Sequence, residues 1–146
     1  MHIKEVTSNT PGLREAMARF LRQLTGRERV FDEADLEALI ASENSHLFVA
    51  VADGGNFAGM ITVCIYRAPT GRKAWVEDVV VDEAYRGQGL GRRLTEHAIA
   101  FAKAQEVDLL SLTSNPTRIE ANKLYPSVGF SRKETNVYVM TFESSR

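Results

Sequence analysis

Two adjacent acids, Glu77 and Asp78, precede the run Val79-Val80-Val81, and shortly afterwards the chain turns into Arg86-Gly87-Gln88-Gly89-Leu90-Gly91-Arg92-Arg93. A carboxylate inside an apolar strand is a candidate general base, because burial raises its pKa toward the useful range. The turn has different chemistry. Three glycines at alternate positions remove each Cβ that would hold a bulky anion off the backbone N–H groups, and a helix starting there adds unsatisfied donors and a positive dipole end. Arg86, Arg92 and Arg93 supply countercharge. The stretch reads as a site for a phosphorylated cofactor beside a proton acceptor.

The spacing narrows the choice of phosphate motif. A dinucleotide fingerprint needs G-x-G-x-x-G and a P-loop needs G-x-x-x-x-G-K-[ST], whereas this chain carries G-x-G-x-G with no lysine-hydroxyl pair behind it. R-x-x-G-x-G after a Val-rich strand resembles the pyrophosphate signature of the GNAT superfamily of acyl-CoA-dependent N-acetyltransferases. Downstream, Asn115-Pro116, Arg118, Ala121, Leu124, Tyr125, Gly129 and Phe130 resemble that family's later pattern, an Asn at a strand end and a helix finishing in L-Y-x-x-x-G-F. The resemblance runs from about Trp75 to Phe142; the N-terminal half matches only in its order of elements. Pro126, beside the tyrosine, departs from the pattern and is expected to kink or tighten the helix.

The resemblance implies a GNAT-type α/β fold (α+β in some schemes), a mixed central sheet of about six to seven strands with four helices. It implies acetyl-CoA as co-substrate, with no metal. Val79, Val80 and Val81 would bond the pantetheine arm as an added strand would. The pyrophosphate would rest on Arg86, Gly87, Gln88, Gly89, Leu90, Gly91 and Arg92. Asn115 would contact the pantetheine, although its residue type equally suits a plain helix N-cap. Tyr125 matches the family tyrosine that protonates the departing thiolate; a phenol of ordinary pKa suits donation better than base work. Glu77 and Asp78 both remain candidates for the base. Strand alternation puts them on opposite faces, so at most one points into a pocket on a given face, directly or through water. An acid often stands in the family at the place of Asp78, and Glu-Asp-Val-Val-Val is similar to the amino-sugar phosphate acetyltransferases.

Composition agrees with one ordinary domain over residues 1–146: 44% hydrophobic, 25% charged and a net charge of −1. That balance argues against a general nucleic-acid surface. No apolar run approaches the roughly 18 residues of a membrane helix and the N-terminus has no signal-like segment, so a cytoplasmic protein is expected. The single Cys64 allows no internal disulfide and reads as a packed strand residue, and His2, His46 and His97 lack metal spacing.

The elements that must position these residues follow from periodicity. A short strand at Ile3–Val6 precedes a helix opened by Thr10 and Pro11 and closed by Gly26, with Leu13, Met17, Phe20, Leu21 and Leu24 on one stripe. A second helix is predicted over Glu33–Ala41. A hairpin of His46–Val51 and Phe57–Tyr66 turns at Asp53-Gly54-Gly55-Asn56. Lys73–Val81 reads as a central strand buried on both faces, Leu90–Gln105 as a helix and Val107–Thr113 as a strand parallel to the first of these. Asn115 caps a helix running to about Val128, and Phe130–Phe142 closes as β structure broken near Glu134.

The acceptor is less legible. Its contacts are expected from the loop at Arg27–Asp32, from Trp75 and from a last β-turn at Glu134–Tyr138, with Phe31, Trp75, Glu134 and Tyr138 as the residues. The expected partner is a small-molecule amine, with no nucleic acid or membrane; a homodimer is left open. Two other readings stand beside the enzyme: an acyl-CoA-binding sensor or scaffold without turnover, and a protein or peptide N-acetyltransferase.

Overall fold

The structure, a computed structural model, describes residues 1–143. The elements run β1 (His2–Glu5), α1 (Leu13–Thr25), α2 (Glu33–Ala41), β2 (Ser45–Val51), β3 (Phe57–Ala68), β4 (Gly71–Val81), a 3-10 turn (Glu83–Tyr85), α3 (Leu90–Ala104), β5 (Leu109–Ser111) and α4 (Ile119–Ser127). One mixed sheet carries the strands in the order β1-β2-β3-β4-β5, antiparallel except for the parallel β4–β5 pair. Among the described residues no helix is long and apolar enough to cross a membrane.

Alternation in β2, β3 and β4 sorts their side chains into two cores. One side buries Leu47, Val49, Met60 and Val80 against Leu13, Met17 and Phe20 of α1 and Leu36 of α2. The other buries Phe48, Ile61, Val63, Ile65, Ala74 and Val76 against Leu90, Leu94 and Ala98 of α3. Each large aliphatic or aromatic side chain withdrawn from water in this way contributes roughly 1.5–3 kcal/mol. At Gly59 of β3 the strands meet without room for a side chain: a Cβ would lie 2.7 Å from the carbonyl oxygen of Val80.

Several expectations are corrected. The sheet has five strands among the described residues rather than six to seven, because 130–143 contains none. The strand-forming pattern of Phe130–Phe142 is there, but that segment finds no partner strand, and an unpaired strand gains no ladder bonds. α1 begins at Leu13 behind Gly12 (φ 83°), so Pro11 precedes the helix instead of opening it. β5 is shorter than Val107–Thr113. Asn115 does not cap α4: its Oδ1 accepts from Thr117 N (3.0 Å) and Thr117 Oγ1 (2.9 Å), closing a turn ahead of a helix whose cap position is Arg118. The competing local bond of an Asx turn has displaced the helix start.

Candidate active site

β4 changes character along its length. Lys73, Ala74 and Trp75 pair with Leu109, Leu110 and Ser111, and there the parallel ladder stops. From Val76 to Val81 the strand keeps its β3 ladder while its other edge has no strand partner among the described residues. The β3 register also slips, Thr62 facing Glu77 and Met60 facing Val80. Asp78 is the extra residue of this bulge, at φ 49°.

The bulge corrects the reading that Glu77 and Asp78 occupy opposite faces of a fully buried strand. Inserting a residue breaks the period of two, so Val76 and Val79 both pack toward α3 with Glu77 and Asp78 between them, open to solvent. A non-glycine residue at positive φ is strained, and such strain gathers at functional sites. The two carboxyls lie close enough to interact. The surrounding protein raises the pKa of Glu77 by taking it partly out of water, and the Asp78 charge adds in the same direction.

Beyond Val81 the chain makes one 3-10 turn and enters the glycine loop. Residues 86–89 are exposed, Gly87 and Gly89 sit at φ 78° and 77°, and nothing stands within 4 Å of a Cβ built on either. Gly89 occupies the cap position of α3 with no side-chain cap, so the first N–H groups of that helix remain open to an anion. Arg86 Nε donates to the carbonyl of Val81 (3.2 Å), holding the guanidinium beside the loop. Arg92 turns toward α4, donating to Ser127 Oγ (2.7 Å) and pairing with Glu96 (3.3 Å). Arg93 points away and donates to the carbonyl of Met1 (3.2 Å).

α4 brings Tyr125 to the same end of the sheet. Leu124 and Val81 both come within 3.8 Å of a Cβ placed on Gly91, so α4 rests on the start of α3 and the end of β4. The Tyr125 ring is 7% exposed, edge-on to Phe130 with centroids 5.9 Å apart. Burial raises the pKa of its hydroxyl, with the Arg118 charge opposing, which keeps the proton on oxygen as an acid requires. Pro126 leaves α4 intact through Ser127 but tightens its end, where Val128 N donates to the carbonyls of Leu124 (3.2 Å) and Tyr125 (3.3 Å) and Gly129 N to that of Pro126 (3.2 Å). At the exit of β5, Ser114 Oγ is buried without a hydrogen-bond partner among the described residues, next to the exposed Asn115. A buried polar atom of this kind suits a ligand with amide groups.

The acceptor residues separate. Trp75 shares a face with Glu77, two positions on, and its indole N–H donates to Tyr66 Oη (3.1 Å), making an aromatic wall beside the acids. Phe31 is half-buried against the α1–α2 core, and its carbonyl accepts from Arg14 Nη1 (3.5 Å). Glu134 and Tyr138 lie in the irregular C-terminal segment, Tyr138 being 88% exposed, and no described contact joins either to the site. The β-turn expected there is absent because the strands it would join do not form.

One support was missed by sequence reasoning. Asp82 is buried at the mouth of the loop, accepting from Arg19 Nε (2.9 Å), Gln23 Nε2 (3.5 Å) and Ala84 N (3.1 Å). Burial pushes its pKa up, but those donors and the Arg19 charge outweigh it and hold the carboxyl below the usual range. An Asp just after a strand is a legible turn cap; its ion pair with α1, sixty-three residues earlier, is not.

Comparison with known proteins agrees with this geometry. The sequence model described as "Acetyltransferase (GNAT) family" matches residues 13–130. The N-alpha-acetyltransferase RimI of Mycobacterium tuberculosis is 33% identical over 93 residues, 64% of this chain and 56% of that protein, so the match spans about half of the relative's length. Glucosamine 6-phosphate N-acetyltransferase 1 of Oryza sativa subsp. japonica is 30% identical over 125 residues, 80% of this chain and 74% of that protein. The crystal structure of glucosamine-6-phosphate N-acetyltransferase from Arabidopsis thaliana superposes with a TM-score of 0.79 at 23% identity, over 96% of this chain and 99% of that one, a likeness of fold. The matched region takes in the bulged strand, the glycine loop and the helix of Tyr125, and the chain belongs to the acetyltransferase (GNAT) family.

Proposed function

We propose that the protein transfers the acetyl group of acetyl-CoA to a primary amine by direct attack. The observation that supports this best is the edge of β4 from Val76 to Val81, unpaired among the described residues, which runs straight into an uncapped, Cβ-free helix start. An amide-rich arm added along that edge ends where a pyrophosphate meets N–H groups and Arg86. Asn115 and Ser114 Oγ border the arm from the β5 side, and a backbone N–H of Val79 or Val80 polarises the thioester carbonyl.

Glu77 accepts the proton of the incoming ammonium, directly or through water, its raised pKa suiting a base. The free amine attacks the thioester carbonyl, the C–S bond breaks, Tyr125 donates its proton to the thiolate, and the proton shed by the new amide nitrogen returns through solvent to the tyrosinate. Asp78 keeps Glu77 basic by its charge. Trp75 and Tyr66 form the wall against which the acceptor lies, a surface suited to a cationic amine. The names of the relatives favour two acceptor classes, a peptide α-amine and an amino-sugar phosphate.

An acetyl-CoA turnover screen, read by thiol release, tests the proposal across amino sugars and their phosphates, amino acids, polyamines, aminoglycosides and peptide N-termini. Release that depends on one acceptor class supports transfer. Tight acetyl-CoA binding without release on any of them would favour the sensor reading.

A further inference from the structure

Three polar side chains are buried among the described residues: Thr62, Asp82 and Thr95. Two of them are satisfied. Asp82 takes the donors already described, and Thr95 Oγ1 donates to the carbonyl of Gly91 (2.7 Å), one turn back in α3. Thr62 is 8% exposed, and its hydroxyl has no hydrogen-bond partner among the described residues. Ser114 Oγ alone is both unpartnered and fully enclosed among those residues, so the Thr62 hydroxyl still reaches the surface. A free hydroxyl on an otherwise buried residue calls for a partner from outside the chain.

The register says where that hydroxyl lies. On β3, Thr62 stands between Leu47 of β2 and Glu77 of β4. Cross-strand partners share a face, with Cβ atoms about 4.5–5.5 Å apart. Leu47 is buried in the α1–α2 core and Glu77 is exposed, so Thr62 sits where that core ends and the acids begin. The pairs on either side of it, Met60 with Val80 and Cys64 with Trp75, are apolar or weakly polar. The Glu77 carboxylate likewise has no hydrogen bond among the described residues. Valine has the same shape and would suit such neighbours better, yet the chain carries a hydroxyl beside its proposed base.

We propose that Thr62 holds the acceptor nitrogen in front of Glu77. The inference rests on the transfer reading above and deepens it. A hydroxyl accepts as well as donates, so an arriving ammonium gives one N–H to the Glu77 carboxylate, directly or through water, and another to Thr62 Oγ1. When Glu77 has taken its proton, the N–H to Thr62 remains. The nitrogen therefore stays at the strand while its lone pair turns to the thioester carbonyl, and the attack starts from a fixed position. The contact is to nitrogen alone, so it serves any primary amine whatever the rest of the acceptor is.

Thr62→Val tests this, because it removes the hydroxyl and keeps the shape. Thiol release is followed at saturating acetyl-CoA with glucosamine 6-phosphate, a polyamine, an aminoglycoside and a peptide bearing a free α-amine. For each amine that the parent turns over, kcat/KM of the variant should fall about tenfold or somewhat more, the loss of one hydrogen bond to a charged group. Tm and the Kd of acetyl-CoA should stay as in the parent. Thr62→Ser restores the hydroxyl and should recover most of the rate, even where the lost methyl lowers Tm. A valine variant within twofold of the parent, a serine variant as slow as the valine one, or an acetyl-CoA Kd weakened in step with the rate would overturn the inference. A parent that turns over none of these amines overturns the transfer reading itself, and the role of Thr62 falls with it.

Discussion

The two halves of β4 differ in a way opposite to what strand propensity suggests. Gly71 to Trp75 is the less β-prone half, yet it has neighbours on both edges, β3 throughout and β5 at Lys73–Trp75. The following half holds Val79-Val80-Val81 and, among the described residues, is laddered to β3 alone, interrupted by the bulge at Asp78. A strand bonded on both sides is held by its neighbours. A strand with one free edge must hold its own extended shape, and β-branched residues stiffen it for that purpose. The Val run reads as a template for an added ligand strand, and the earlier half as its anchor. Substitutions near the template should damage binding and rate, and substitutions near the anchor should damage stability.

The most severe break of that contrast is Gly89→Glu, which sets a carboxylate and a Cβ at φ 77° where the pyrophosphate is proposed to lie. Acetyl-CoA at a hundredfold excess over its Kd should stabilise the parent protein by about 2.7 kcal/mol, and the variant should lose the whole shift in Tm. An unchanged Kd in that variant would place the cofactor elsewhere. Next in size is Tyr125→Phe. The proton it donates is needed only as the C–S bond breaks, so kcat should fall about 10²-fold while acetyl-CoA binding changes little. With chemistry rate-limiting, a kcat within twofold of the parent would return Tyr125 to a packing role against Phe130.

Glu77→Gln comes third. A base works deprotonated, so kcat/KM of the parent should rise with pH through the raised pKa of Glu77; the Gln variant should be slower by roughly tenfold or more and lack this acidic limb. Asp78→Asn makes the assignment sharper. Removing a negative neighbour lowers the pKa of Glu77, so the limb should survive and move to lower pH. Loss of the limb in Asp78→Asn with retention in Glu77→Gln would exchange the two roles.

What could be read in advance follows from the range of the forces involved. α2 lies at Glu33–Ala41 as periodicity predicts, because Asp32 and Asp35 form a local capping box around it. The glycine loop and α3 are equally local, written by Gly87, Gly89 and the Leu90, Leu94, Ala98 stripe. The bulge at Asp78 carries no Gly or Pro to announce it; it comes from the slipped register against β3, where Gly59 lets Val80 approach. Arg19 and Asp82 meet across the sequence for reasons no short window contains. The pattern at Val137–Phe142 is read correctly as strand-forming, but propensity does not name the partner, and none is found in the same chain among the described residues.

The smallest effect belongs to the anchor. Asp108 joins β4 to the approach of β5 twice: its Oδ2 accepts from Arg72 N (3.0 Å) and its own N–H donates to the carbonyl of Arg72 (2.7 Å). Arg72 is held further by Gln105, whose backbone carbonyl accepts from Nε (3.1 Å), so this arginine helps to fix the anchor. Asp108→Ala removes only the side-chain bond and leaves an exposed N–H that water can satisfy. The loss should be about 1 kcal/mol, a few degrees in Tm for a chain of this size. Acetyl-CoA Kd and the pH profile should stay as in the parent, since the template half begins beyond Trp75. A Kd that weakened along with Tm would mean that the two halves of β4 move as one, and that the free edge is positioned by the ladder that precedes it.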